Sequence, residues 1–199
     1  MKHQVIIIHG GDSFNTYEEF LRFLSDWRID FEDYRSDRKD WKDSLKGNLG
    51  EEFEIIRPSM PNKLNAKYLE WKIWFDKFVP YLEPKFILIG HSLGGLFLAK
   101  YLSENKLPQK AEAVFLVAPA GSEGDFILPN NLEKIEAQTD KIFLYQSEDD
   151  RVVPFKTLEI YKSKLKEPII RIFQDRGHFN QKNLPEIVED IRNLHLTYK

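Results

Sequence analysis

Cysteine is absent from this chain. Its absence excludes disulfides, thiolate zinc sites and cysteine nucleophiles together, and it fits the reducing cytoplasm expected as the location. No run of about 18 apolar residues occurs that would span a bilayer, and no membrane association is expected. Basic residues are not in excess either. Lys and Arg number 29 against 32 Asp and Glu, a formal net charge of −3, which gives no electrostatic case for nucleic acid. The densest basic cluster, Lys162, Lys164 and Lys166 beside Tyr161 and Leu165, reads as a solvated helix face. No internal repeat or low-complexity tract is found. The first ten residues hold too short an apolar run for a secretion signal and no small-residue cleavage site, so they are expected to enter the fold directly as a strand.

What is present is an ordinary globular composition: 42% hydrophobic, 14% aromatic and 31% charged over 199 residues, enough for one well-buried core. A single domain over 1–199 is expected. Short β-branched or aromatic runs recur at Gln4 to His9, Phe53 to Arg57, Phe86 to Gly90, Ala113 to Val117, Ile142 to Tyr145 and Ile169 to Phe173. They are mostly uninterrupted by polar residues, as in strands covered on both faces. Helix-period segments lie between them at Tyr17 to Trp27, Ala66 to Tyr81, Leu93 to Glu104, Phe155 to Leu165 and Pro185 to Leu194. The alternation predicts an α/β fold with a doubly wound, mainly parallel sheet of about six strands. Two segments break the rhythm. The charged stretch Ile29 to Glu52 holds Tyr34, Trp41 and Leu45 and predicts a short extra helix around Arg38 to Lys46. The stretch Pro119 to Asp140 predicts a loop followed by a short helix. Neither is long enough for a large cap, so an open site is expected.

The most informative junction is Phe86-Ile87-Leu88-Ile89 running into Gly90-His91-Ser92-Leu93-Gly94-Gly95. An apolar strand that stops on Gly-x-Ser-x-Gly and restarts as an apolar helix is the context of a nucleophile elbow. The spacing has a steric reason. Ser92 sits at the tip of a turn so tight that a positive φ is expected, which holds its hydroxyl out towards substrate. Gly90 and Gly94 flank it where strand and helix cross too closely for a Cβ. The amide of Leu93, opening the helix, points where an oxyanion would form. A phosphate loop is disfavoured because no Gly-Lys-Ser/Thr ending follows.

A serine hydroxyl needs a base, and the base an orienting acid. His178, in Asp175-Arg176-Gly177-His178-Phe179 after the last strand, is the preferred base. His9 is the alternative, though His9 and His91 suit a hydrogen-bonded supporting role, and His3 and His195 near the termini are expected to be solvated. Glu148, Asp149 and Asp150 follow the penultimate strand, giving the order Ser, Asp, His. Asp150, deepest in the loop, is preferred over Asp149, which suits bonding to loop amides. The second oxyanion donor is expected after the first strand, at Gly11, with Asp12 next.

With these motifs placed, the chain resembles the α/β-hydrolase superfamily and, within it, the small capless serine hydrolases similar to retinoblastoma-binding protein nine. The resemblance is carried by the Gly-Gly turn, by Arg57-Pro58-Ser59-Met60-Pro61-Asn62 with Trp71 downstream, by Gly-His-Ser-Leu-Gly-Gly, by Asp150-x-x-x-Pro154 and by Gly177-His178-Phe179. It implies that the acid is the Asp four residues before the proline, Asp150. The chain departs from the family in its charged 29–52 insertion. The expected activity is a cofactor-free, metal-free serine hydrolase acting on small carboxylic esters, or on thioesters or amides. Haloalkane or epoxide hydrolysis is excluded, since those need a carboxylate where Ser92 stands. The alternative is a protein-binding module on a hydrolase scaffold, which the resemblance implies through the family's name-giving association with a protein partner and which the unassigned aromatic and charged insertion around Trp41 also suggests; the partner is unknown. The segments expected to shape the pocket, Asp12 to Thr16, Ser59 to Leu64 and Ala120 to Leu128, offer no single charge that names a ligand.

Overall fold

The computed structural model describes residues 2–35 and 39–196. Six strands form its main sheet: β1 (His3–Ile8), β2 (Phe53–Ile56), β3 (Phe86–His91), β4 (Ala113–Val117), β7 (Ile142–Ser147) and β8 (Ile169–Phe173). A two-stranded hairpin, β5 (Ser122–Glu123) with β6 (Phe126–Ile127), stands apart. The helices are α1 (Tyr17–Asp26), α2 (Phe31–Arg35), α3 (Trp41–Leu49), α4 (Tyr68–Asp76), α5 (Leu93–Glu104), α6 (Glu133–Glu136), α7 (Thr157–Lys162) and α8 (Pro185–Leu196). The main sheet has the order β2-β1-β3-β4-β7-β8, and every pairing in it is parallel.

Successive side chains of a strand point to opposite faces, which explains the unbroken apolar runs. Ile6 and Ile8 of β1, with Leu88, Val114, Leu116 and Leu144, join the core shared with α4, α5, α6 and α7. Val5 and Ile7, with Ile87, Ile89, Phe115, Phe143 and Tyr145, face α3 and α8 instead. Phe115 and Phe143 stack there with ring centroids 4.3 Å apart. The edge strand β8 is tied down by a charged bond: Arg171 donates to both carboxylate oxygens of Asp190 on α8, at 2.9 and 2.7 Å.

The six strands and the five regular helices fall where the sequence pattern puts them, with shifted ends. The segment expected to be helical from Ala66 to Tyr81 divides into α4 and a separate 3₁₀ turn, Val79–Tyr81, because Pro80 has no N–H to continue an α-helix. The helix expected from Phe155 to Leu165 is the shorter α7. In the charged insertion the helix runs Trp41–Leu49 rather than Arg38 to Lys46; Arg38 lies outside the described residues. Its start is set by Asp40, whose carboxylate accepts from the Lys42 amide while Asp43 reaches back to the Asp40 amide, a capping box. Its end is set by Gly50 at φ +103°. Beyond expectation are α2 and the β5–β6 hairpin.

The site depends on which helix covers the sheet beside β1. The amphipathic α1 buries none of its residues; its rings pack locally, Phe23 lying 5.0 Å from both Phe14 and Trp27. The helix drawn from the charged insertion takes the place on the sheet, burying Trp41, Leu45 and Leu49. Among the described residues no large cap stands over the carboxyl ends of the strands, and no helix is long and apolar enough to cross a membrane.

Candidate active site

The carboxyl ends of β1, β3 and β8 converge on one cleft, where ligands of open α/β sheets bind. It measures ≈ 560 Å³ and is lined by residues including Gly11, Ser92 and His178.

Ser92 occupies the turn between β3 and α5 at φ +56° and ψ −122°, a left-handed conformation that a non-glycine residue adopts only when its surroundings enforce it. Those surroundings are visible. Its amide donates to the Val117 carbonyl at 2.9 Å. A Cβ on Gly94 would stand 2.3 Å from the Ile8 carbonyl oxygen, and one on Gly90 2.5 Å from that of Gly94, so strand and helix can approach only with glycine at both places. The Ser92 side chain makes no helix-capping bond. It abuts the loop after β1, where a Cβ on Gly10 would lie 3.5 Å from Ser92 Oγ.

That loop is rigid. Asp12 donates its amide to the Lys63 carbonyl and accepts from the Ala66 amide, both at 2.8 Å. The Ser13 hydroxyl donates to the Ala66 carbonyl, and Glu123 in the β5–β6 hairpin accepts the Ser13 amide, each at 2.8 Å. The Asp12 N–H is thereby occupied, whereas the Gly11 N–H has no protein acceptor among the described residues. The Leu93 amide opens α5 and has no intrahelical acceptor.

His178 sits in the loop between β8 and α8. Its Nδ1 lies 2.9 Å from Asp150 Oδ2, and the Asp150 side chain is fully buried. The other Asp150 oxygen accepts from the Val152 and Val153 amides at 2.8 and 3.0 Å, which fixes the carboxylate. Asp149 is used otherwise. Its Oδ1 accepts from the Ser147 hydroxyl and the Gly177 amide at 2.5 and 2.8 Å, bonds that lower its carboxyl pKa. Ser92 and His178 share the cleft wall, and no hydrogen bond joins Ser92 Oγ to His178 in this structure.

His9 and His91 are hydrogen-bonded around the cleft. Met60 donates its amide to His9 Nε2 at 2.9 Å, so Nδ1 carries the proton and donates to the Gly10 carbonyl at 2.6 Å. Burial, opposed in part by that bond, lowers the His9 pKa. Trp71, in edge contact with His9, donates Nε1–H to the Pro61 carbonyl at 2.8 Å. The Pro-x-Met-Pro-Asn motif is thus a loop held by His9 and Trp71. His91 is buried and its pKa is pushed well down by that burial. His3 is half-buried against Glu112 rather than solvated, at 3.3 Å; the His195 side chain lies outside the described residues.

Two expectations about the cleft change. Of the three segments expected to shape it, the Ala120 to Leu128 stretch contributes no lining residue and instead braces Ser13. Charge does enter, through Asp40 and Lys42 of the insertion, Arg57, Asp12 and Lys63. Asp40 and Lys42 escaped the sequence reading because nothing local tells a lysine buried against a half-buried aspartate from the solvated charges around it. Trp41, the aromatic of the insertion to which the sequence assigned no role, is fully buried. Its amide donates to the Gln181 carbonyl and its Nε1–H to the Phe179 carbonyl, both at 2.9 Å. Among the described residues no group of three His, Cys, Asp or Glu is arranged to hold a metal.

Comparison with known proteins agrees with this architecture. A family model described as serine hydrolase matches residues 33–190. The chain is similar to the rat (Rattus norvegicus) protein Serine hydrolase RBBP9, with 24% identity over 147 residues, covering 71% of this chain and 78% of that one. Its fold is similar to the ydeN gene product of B. subtilis (TM-score 0.78, 20% identity, 98% of this chain and 100% of that one). It is also similar to Est1E from Butyrivibrio proteoclasticus (TM-score 0.59, 15% identity, 98% and 88%). With a family model that spans most of its length and an α/β-hydrolase fold, the chain belongs to the serine hydrolase family and is a hydrolase.

Proposed function

We propose that this hydrolase cleaves small carboxylic esters through an acyl-enzyme on Ser92, with His178 as base and Asp150 as its orienting acid. The observation that carries the reading is the buried Asp150 Oδ2 at 2.9 Å from His178 Nδ1, in a cleft shared with the strained Ser92. Asp150 accepts from Nδ1–H, so the Nε2 lone pair is left for the serine proton. Ser92 Oγ attacks the acyl carbon as its proton passes to Nε2. The oxyanion is held by the Gly11 and Leu93 amides, donors at the cleft to which no acceptor among the described residues is joined. The tetrahedral intermediate collapses, the ester C–O bond breaks, and His178 returns the proton to the leaving alcohol. Water then repeats the sequence and frees the acid. The Ser92–His178 contact closes when substrate is bound; in unliganded hydrolases it is commonly long. Thioesters and amides fit the same machinery.

A fluorophosphonate probe should label the wild type at Ser92 and leave Ser92→Ala unlabelled; equal labelling of both would overturn the reading. A p-nitrophenyl ester series of increasing acyl length then maps the pocket. The alternative of a binding module loses one of its two supports with Trp41 buried beneath the His178 loop.

A further inference from the structure

The proposed chemistry leaves unused a buried lysine at its edge. Lys42 is only 6% exposed, and burial pulls its pKa down against the opposing pull of Asp40. An ammonium is costly to bury unless each N–H finds an acceptor. Lys42 Nζ lies 2.6 Å from Asp40 Oδ2 and 3.4 Å from His91 Nδ1, and stands 4.9 Å from the centroid of the Trp41 ring.

The second of those contacts has a chemical consequence. An ammonium only donates, so the His91 Nδ1 that faces it must present a lone pair. A neutral imidazole with a lone pair on Nδ1 carries its proton on Nε2, and His91 Nε2 lies 2.8 Å from the backbone carbonyl of His178. The protons of the whole chain are therefore assigned: Asp40 accepts from Lys42, Lys42 donates to His91, and His91 donates to the residue that is the proposed base. The two imidazoles lie against each other, centroids 4.8 Å apart.

The His178 backbone needs such a hold. The next residue, Phe179, has φ +53°, and Gly177 on the other side has φ +50°, so the base is carried on a turn with left-handed residues at both flanks. The start of α3 grips the far side of this turn. Trp41 donates to the carbonyls of 179 and 181, and Ser44 Oγ donates to that of Lys182 at 3.1 Å. Only the His178 carbonyl itself is reached indirectly, through His91.

We propose that Lys42 is a positioning residue for His178 that acts through His91, holding His91 in the Nε2–H tautomer that binds the His178 carbonyl. The charged insertion then has a role in this enzyme: it supplies the far anchor of the base. The proposal rests on the esterase reading for its kinetic consequence, and on geometry alone for the tautomer.

Its test combines imidazole ¹⁵N NMR with p-nitrophenyl acetate kinetics. The wild type should show His91 as a pure Nε2–H tautomer. In Lys42→Met a Nδ1–H population should appear, with kcat at least tenfold lower and KM within twofold. His91→Gln keeps an amide donor for the His178 carbonyl and has no tautomer to select. In that background Lys42→Met should change kcat by less than twofold, a non-additivity that a merely structural loss would not produce. An unchanged tautomer in Lys42→Met, or an equal loss in both backgrounds, overturns the proposal. Should Lys42→Met not fold, Lys42→Gln carries the test: its neutral amide can accept from Nδ1–H as well as donate to Nδ1, so a Nδ1–H population and a loss of at least tenfold in kcat should appear there too. A pure Nε2–H tautomer with wild-type kcat in that variant also overturns it. If the wild type neither hydrolyses the ester nor reacts with fluorophosphonate, it is the esterase reading that has failed, and the tautomer still decides the coupling of Lys42 to His91.

Discussion

Asp149 and Asp150 are adjacent, chemically identical and on the same loop, yet their carboxylates have separate partners. Asp149 ties Ser147 to Gly177 and so shapes the turn before His178. Asp150 alone reaches the imidazole. Asp150→Asn should leave the fold intact and lower kcat by about 10³ to 10⁴, because an amide at Oδ2 can donate and favours the wrong histidine tautomer. Asp149→Asn should lower kcat less than about tenfold and act mainly on stability, through weakened bonds to a loop amide and a hydroxyl. Steady-state kinetics and urea denaturation of the two variants check the split, and the reverse ranking would move the orienting role to Asp149. At this scale Ser92 was legible because its strand-turn-helix context is local. The choice between Asp149 and Asp150 was less so: depth in the loop favoured Asp150 and the family resemblance supported it, but which carboxylate meets a histidine 28 residues on is decided by tertiary contact.

At the scale of elements, the sequence pattern located segments better than destinations. The apolar face of α1 is plain in Tyr17, Phe20, Leu21 and Leu24, but periodicity says that a face is apolar and not what covers it, and Tyr17 is 62% exposed. For α3 the reverse holds. Its segment looks charged, yet Trp41 and Leu45 fall on one side and close the core beside β1. The β5–β6 hairpin escaped because two residues per strand carry no period to read. The contact that gives α3 its importance joins Trp41 to a carbonyl 138 residues away, beyond any local signal. Trp41→Phe removes that bond together with part of a fully buried ring system. The carbonyl left without its donor should cost about 1–3 kcal/mol in urea denaturation, and the lost core volume adds to it. The substitution should also reduce kcat more than KM, since the Phe179 carbonyl it releases is next to the proposed base. A Trp41→Phe variant with wild-type stability and turnover would show that the amide of Trp41 and the Ser44 hydroxyl suffice to anchor the loop.

At the scale of the whole molecule, alternating strand and helix patterns imply a parallel sheet, while the order β2-β1-β3-β4-β7-β8 depends on crossovers that no single segment encodes. The molecule's response to acid also depends on tertiary burial. The buried His91 has its pKa held well below 6.5, and His9 is lowered as well, in both cases chiefly by burial. As pH falls below about 6.5 the unfolded chain takes up protons at these positions that the folded protein refuses, so stability is present above that pH and is lost below it. Asp12 and Glu123 act in the opposite sense, because burial raises their carboxyl pKa values and the folded protein protonates them first. The total curve is therefore a sum of opposed slopes, and a difference between two proteins isolates one group. Replacing His91 by Gln removes one refused proton and leaves His9, Asp12 and Glu123 in place. Relative to His91→Gln, the wild type should lose up to about 1.4 kcal/mol for each pH unit below 6.5, and nothing between pH 6.5 and 7.5 beyond the onset of the titration. Urea denaturation of both proteins at pH 7.5, 6.5 and 5.5 measures this difference. Parallel curves would mean that His91 accepts a proton inside the folded protein, which is incompatible with an Nδ1 facing the Lys42 ammonium and an Nε2–H already given to His178.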